Sequence, residues 1–520
     1  MKILKNLFLF TFIACFALVS CKKQAEVNQL SLIPENASMV MEINGREILK
    51  KSGLDKPDDY KFMTMAKGVM GEFAPFVESL LKGSKEAGIS IDNILFYSTE
   101  LPNFCMNFQV KDKKALENWM KKSGMPEPKE NNGIRYFSTM DVSLAWNDHL
   151  LVMAYNTTLE NMSAYFDVKE SGLLATSNDF KEFLKKSGDV KMWMQYGALL
   201  KSYEKMFGLK LIDGFDNVSM HGYLNFKDGE IEGTSSFYPA EAVTQLKEQY
   251  PIFKKGFDML LLKDLPEQAY VGFNMSINIA DYVKFARKNI EKILNSEQSK
   301  PYMDDYYSDM LADRYEQIEE ILDSPEITTI INALTGDAVL SIHGFNQGII
   351  SYPLLSVNIA VKSEEAFKEV LALIPTDLYK LSEGYYTANL NKFIPVYFAY
   401  RDSKVLVTLD LNTIKEFSKG ALPNKDLSQN PMGKLMADKM VFFMNLDYDS
   451  YPQSIKMLIQ NYLGRRISAL TSIIEIYENM YFTVDDNYNT EFHLNLKNKN
   501  VNSSKQILKS IDKIFGAWSF

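Results

Sequence analysis

Short stretches of apolar residues, unbroken or alternating with polar ones, recur along the chain between Gly, Pro, Asn and Asp. Met39-Val40-Met41-Glu42-Ile43, Phe104-Cys105-Met106-Asn107-Phe108, Val218-Ser219-Met220-His221-Gly222-Tyr223-Leu224 and Tyr270-Val271-Gly272-Phe273-Asn274-Met275 are of this kind. Such runs predict β-strands. A different spacing appears at Ala115, Leu116, Trp119 and Met120, which predicts a helix with one buried face. Asp112 precedes that helix and Ser363 precedes a second at Glu364–Val370, where a side-chain oxygen takes the free amides of the first turn. Many predicted strands come as neighbours joined by short turns, as at Asn147-Asp148 and Asp402-Ser403. This pattern predicts an α+β fold of antiparallel sheet with helices packed on one face. Strict β-α-β-α alternation is missing, which argues against a doubly wound nucleotide-binding fold.

The order of these elements occurs twice. Ile33-Pro34-Glu35-Asn36-Ala37 opens into the strand at Met39, and Leu265-Pro266-Glu267-Gln268-Ala269 opens into the one at Tyr270. Phe108–Lys111 leads into the first capped helix and Asn358–Lys362 into the second. Hairpins ending Leu150–Met153 and Val405–Thr408 follow, then strands at Lys191–Gln195 and Met440–Asn445, then strand pairs at Val218–Phe237 and Tyr481–Leu496. Two similar halves are therefore predicted by internal duplication, a first α+β repeat at 31–258 and a second at 259–520. They join within Pro251–Leu265, where Ile252–Leu262 reads as a helical link. No Pro/Gly/Ser-rich linker separates them, so one continuous body is expected.

Ahead of the repeats the pattern changes. Lys2 and Lys5 precede the apolar Leu7–Val19, too short for the about 20 residues a spanning helix needs. Small Ser20 then precedes Cys21. Residues 1–20 read as a secretory signal, and Leu18-Val19-Ser20-Cys21 resembles the lipobox of bacterial lipoproteins. Cys21 would then be the lipidated first residue of the mature chain, and 21–30 its tether. At about 0.8 kcal/mol per buried methylene, several acyl chains on Cys21 give an essentially permanent anchor. Lys22-Lys23 stand where an acidic run resembles a surface-export tag in Bacteroidota-type lipoproteins. The expected place is therefore the cell envelope, on the outer membrane and facing the periplasm.

Composition sets further limits. Apolar residues at 46% and charged residues at 24% of 520 describe a globular chain with material for a large core. A net charge of −9 without a long basic run argues against nucleic acid as a partner. Of three cysteines, Cys15 leaves with the signal and Cys21 takes lipid, so Cys105 remains as a structural strand thiol without a disulfide.

The search for chemistry finds no Gly-x-x-x-x-Gly-Lys-Ser/Thr loop, Gly-x-Ser-x-Gly elbow, His-Glu-x-x-His helix or Cys-x-x-Cys pair. His149 falls at a predicted hairpin tip, and alternation puts His221, His343 and His493 on polar strand faces. The acidic stretch from Asp304 to Asp323 carries Leu311, Tyr315, Ile318 and Leu322 at helical spacing, so it reads as one solvated helix face. Asn445–Ser450 and Asp485–Asn489 lack the central glycine and closing glutamate of a calcium loop and read as turns. Met192, Met194 and Met444 read as core filling, with an adaptable apolar pocket as the alternative. No catalytic residue, metal ligand or cofactor is predicted.

The lipobox, the opening Leu32-Ile33-Pro34-Glu35-Asn36-Ala37 into Met39–Asn44, and the helix carrying Gly53-Leu54 together resemble a Bacteroidota lipoprotein family known as domain of unknown function 4836. The resemblance covers nearly the whole mature chain. It implies a lipid-anchored envelope protein and supplies no catalytic residues. The expected role is a non-enzymatic binding or scaffold lipoprotein, holding membrane lipid through Cys21 and an unidentified protein or apolar small molecule. The alternatives are a periplasmic carrier of an apolar ligand and a hydrolase of envelope polymers with its residues assembled across the halves.

Overall fold

The computed structural model describes residues 29–63, 87–99, 103–139, 142–155, 166, 172–207, 218–249, 252–294, 317, 320–346, 351–376, 378–391, 394–463 and 474–518. The signal, the lipobox Leu18-Val19-Ser20, Cys21 and the acidic stretch apart from 317 and 320–323 lie outside the described residues.

The first half contributes β1 (Met39–Ile43), β2 (Ile89–Ser98), β3 (Phe104–Val110), β4 (Lys129–Asn131), β5 (Ile134–Thr139), β6 (Val142–Trp146), β7 (Leu150–Tyr155), β8 (Val190–Gln195), β9 (Ser219–Lys227) and β10 (Glu230–Tyr238). The second contributes β11 (Val271–Ser276), β12 (Leu334–Phe345), β13 (Pro353–Val361), β14 (Tyr379–Ser382), β15 (Tyr385–Asn391), β16 (Ile394–Arg401), β17 (Lys404–Thr408), β18 (Met440–Asn445), β19 (Tyr477–Val484) and β20 (Thr490–Leu496). All pairings are antiparallel, in the single order β4-β5-β6-β7-β3-β2-β1-β8-β9-β10-β20-β19-β18-β11-β12-β13-β17-β16-β15-β14. The second half thus repeats the strand order of the first. The halves meet where β10 pairs β20, from Glu230 opposite Asn495 to Ser235 opposite Thr490.

Helices cover both faces of the sheet, not one. Along β3, Cys105 enters one core and Met106 the other, because successive side chains leave opposite faces. The helices Gly45–Ser52 and Lys113–Lys122 close the Met106 side with Leu49, Leu116, Trp119 and Met120. The helix Asn178–Leu184 closes the Cys105 side with Phe180 and Phe183. Leu150-Leu151-Val152-Met153-Ala154 is buried throughout for this reason, and its unbroken apolar run is the signature of a strand covered twice. In the second half Leu261 and Leu262, then Ile414 and Phe417 of the helix Leu411–Ser418, pack on Val339, Leu406 and Val441.

The expected helix over Ile252–Leu262 does not form. Phe253 bridges to Ile277, Gly256 takes φ +79°, and only Met259–Asp264 winds into a 3-10 turn. A left-handed residue at Gly256 interrupts any α-helical ladder, and Asp258 Oδ1 starts the tighter turn by accepting from Leu260 N at 3.0 Å.

Instead, helices follow the last strand of each half and reach the other half. In Ala240–Gln249, Lys247 Nζ donates to Asp486 Oδ2 (3.4 Å) and Asn487 Oδ1 (3.2 Å), in the turn between β19 and β20. Ahead of Ser503–Trp518, Asn502 Nδ2 donates to Phe226 O near the end of β9 (2.8 Å). Further along that helix, Asp512 Oδ1 accepts from Phe62 N (2.9 Å) and Leu508 packs on the first core.

Candidate functional site

At the junction the two strands alternate cleanly. Register sets Ile231 beside Leu494 and Gly233 beside Phe492 on one face. On the other it sets Glu230 beside Asn495, Glu232 beside His493 and Thr234 beside Glu491. The polar face continues through Tyr481 and Asn479 of β19, opposite His493 and Asn495, to Phe443 and Asn445 of β18.

The polar groups on this face are paired. His493 Nδ1 and Glu230 Oε1 are 2.7 Å apart, and the imidazole stacks on the Tyr481 ring at 4.4 Å between centroids and 14° between planes. Lys227 pairs with Glu232 at 2.7 Å and Lys439 with Glu491 at 2.8 Å. Burial pushes the Tyr481 hydroxyl up, and Glu230, Glu491 and Glu232 push it further, so it keeps its proton at neutral pH.

Beside this floor lies a groove of about 480 Å³. Phe443, Asn479, Tyr481 and Asn495 line its sheet side, with Pro431 and Met432 among the residues of its wall. Asn430 fixes that wall: its Oδ1 accepts from Met432 N at 2.9 Å and its Nδ2 donates to Glu267 O at 3.0 Å. Inside, Asn495 Nδ2 donates one N–H to Asn479 Oδ1 at 2.9 Å, which leaves the amide group of Asn479 as donor and the Oδ1 and second N–H of Asn495. Turning both amides over exchanges the roles and keeps the same inventory. The carboxylates of the lining are paired, Asp447 with Lys497 at 2.6 Å and Glu478 with Lys499 at 2.5 Å, Lys497 also reaching Asp449 at 2.7 Å. Hydrogen bonding and ring contact, not net charge, are what the groove offers a ligand.

The remaining residues singled out in the sequence fall elsewhere. Cys105 forms no disulfide among the described residues and is 3% exposed within its core. His149 follows the Asn147-Asp148 turn as expected, its amide donating to Asn147 Oδ1 at 2.9 Å. His221 is not on an open polar face: it is 5% exposed, with Phe183 and Tyr238 rings against it and Asp179 Oδ1 2.6 Å from its Nε2. His343 is likewise covered and bonds Asp410 at 3.2 Å. The reason is the second helical layer, which buries polar strand positions and supplies a carboxylate at a helix start to the Nε2 of each imidazole. Met192, Met194 and Met444 lie on the sheet face opposite Trp193 and Phe443, away from the groove floor. Asn445–Ser450 and Asp485–Asn489 are turns, Asp447 Oδ1 accepting from Asp449 N and Asp485 Oδ1 from Asn487 N. Among the described residues no three His, Cys, Asp or Glu are grouped to hold a metal, and no helix is long and apolar enough to cross a membrane.

Sequence reasoning missed Asn479, Tyr481, Asn495 and Glu230 as a group. The alternation in Thr490–Leu496 already marks His493 and Asn495 as one face, but the partner across the junction lies 263 residues away at Glu230.

No curated protein matches the chain. Among solved structures, crystal forms I, III and IV of TP0453 are similar at 10–11% identity and TM-scores of 0.25–0.26. They cover 44% of this chain and 86–89% of theirs, and so slight a likeness bears no weight. The family comparison is decisive: residues 30–504 match the family model of a domain of unknown function, DUF4836, and the chain belongs to that family.

Proposed function

We propose that this DUF4836 protein is a lipid-anchored envelope protein that binds its ligand without transforming it. The observation that carries the binding reading is the groove beside β18, β19 and β20, where the lining carboxylates are paired with lysines and two amides keep hydrogen-bonding capacity. A general acid or base needs a titratable group free to exchange its proton with a substrate. Asp447 and Glu478 are instead held as ion pairs. The anchoring half of the reading rests on Leu18-Val19-Ser20-Cys21 and on Lys2 and Lys5 ahead of an apolar stretch. Lys22-Lys23 after the cysteine support a periplasm-facing body on the outer membrane.

The same strand order in residues 31–258 and 259–520 supports descent from an internal duplication, the two repeats facing each other across β10 and β20.

Metabolic labelling with an alkyne palmitate, followed by membrane fractionation, tests the anchor. Label and membrane association should both disappear in Cys21→Ser. Persistence of either in that variant rejects the anchor. Turnover of any envelope polymer, abolished by a single substitution in the groove, rejects the non-enzymatic role.

A further inference from the structure

We infer that the groove beside β18, β19 and β20 is a saccharide site, taking an uncharged sugar through the Asn479–Asn495 pair and the Tyr481 hydroxyl. This deepens the binding reading above and rests on it. A sugar hydroxyl both donates and accepts, and the amide pair presents N–H donors and an acceptor oxygen side by side. The protonated Tyr481 hydroxyl adds a third group able to do either. Met432 gives apolar surface that the C–H face of a pyranose covers. A volume of about 480 Å³ lies within the range of small-ligand pockets.

Charge and backbone disfavour other occupants. A charged ligand would compete with the pairs that Lys497 makes with Asp447 and Asp449 and Lys499 with Glu478. An extended peptide usually docks by adding a strand to a free sheet edge. Here β18, β19 and β20 are each paired on both sides, so no edge is offered. Only side chains remain to recognise the ligand, which suits hydroxyls better than a main chain.

The test is saturation-transfer NMR and calorimetry on the full chain in detergent, with N-acetylglucosamine oligomers, maltotetraose and mannotetraose as probes and neutral hexapeptides alongside. At least one sugar should bind. Tyr481→Phe, which keeps the ring, and Asn495→Ala should each weaken it by roughly tenfold, the scale of one lost hydrogen bond. Met432→Trp, which fills the groove from its wall, should abolish it while the circular dichroism spectrum is unchanged. Absence of binding by all three sugars, or sugar binding indifferent to Met432→Trp, overturns the proposal. Hexapeptide binding that Met432→Trp abolishes also overturns the saccharide assignment, but leaves the groove standing as a binding site.

Discussion

Asn107 and Asn358 occupy the same place in the strand order and are both fully buried, yet only Asn358 donates a hydrogen bond from its side chain. Asn107 lies between Leu95 and Val152 in register, and Asn358 between Val339 and Leu406. Asn358 Nδ2 donates to Leu261 O at 2.9 Å and Asp264 Oδ2 at 3.0 Å. Asp264 also receives Arg401 at 2.6 Å and Lys404 at 2.5 Å, so the amide belongs to a buried network that pins the 3-10 turn to the sheet. Neither side-chain polar atom of Asn107 has a hydrogen bond.

These neighbours predict opposite outcomes for one substitution. Asn107→Leu removes two unsatisfied polar atoms and should stabilise the protein by about 1–2 kcal/mol. Asn358→Leu strips a donor from a buried carboxylate and should cost about 2–4 kcal/mol. Urea unfolding of the two variants decides the matter, and equal shifts of both midpoints would refute it.

The strand pattern, both helix caps and the turns were legible because each depends on a few adjacent residues. Asp112 Oδ1 and Ser363 Oγ do accept from Ala115 N and Ala366 N, and Asp402 and Ser403 take the positive φ of a tight hairpin turn. The burial of His221 and His343 was not legible, because period two marks a polar face without saying whether a helix will cover it. The groove was hidden for a related reason. Its floor depends on β18, β19 and β20 lying side by side and on a wall from Pro431 and Met432, none of which local pattern specifies.

Gly88 illustrates where backbone geometry admits no side chain. Its φ is +66°, and a Cβ there would stand 2.1 Å from Asp112 O. Its carbonyl accepts from Lys111 N and Asp112 N, so the approach fixes how β3 hands over to the following helix. Gly124 has φ +72° but open space around it. Gly124→Ala should therefore cost only the left-handed penalty of about 1–2 kcal/mol. Gly88→Ala should exceed about 4 kcal/mol, because backbone must also move. Thermal midpoints of the pair provide the measurement, and similar losses would count against the clash.

Asp410 predicts a pH dependence. Burial by itself would raise its carboxyl, but hydrogen bonds from His343, Thr413 and the Asn412 amide prevail and hold it at about 2, below its ordinary 3.8. A depressed folded value means the stabilisation is complete above the unfolded value and is lost as pH falls from 3.8 toward about 2. The difference corresponds to about 2 kcal/mol. Asp410→Asn should lose that amount at pH 6 and show a flatter stability profile between pH 4 and 2. A parallel profile for variant and parent in urea titrations would exclude Asp410 as the source.

The last helix offers a test of how the halves depend on each other. Ser503–Trp518 is continuous in sequence with the second half, yet Asp512 holds Phe62 N and Leu508 packs with Leu49 and its neighbours in the first. Its removal should therefore loosen the half to which it is not joined by chain. Ending the chain before Ser503 should speed amide exchange in Gly45–Ser52 and at Phe62 more than in β11 and β12. The milder Asp512→Ala should cost about 1–2 kcal/mol, the worth of a charged acceptor on one amide. Hydrogen exchange read by mass spectrometry separates the two regions. Faster exchange confined to the second half would mean that the helix serves its own half and that its contacts with Phe62 and the first core carry little energy.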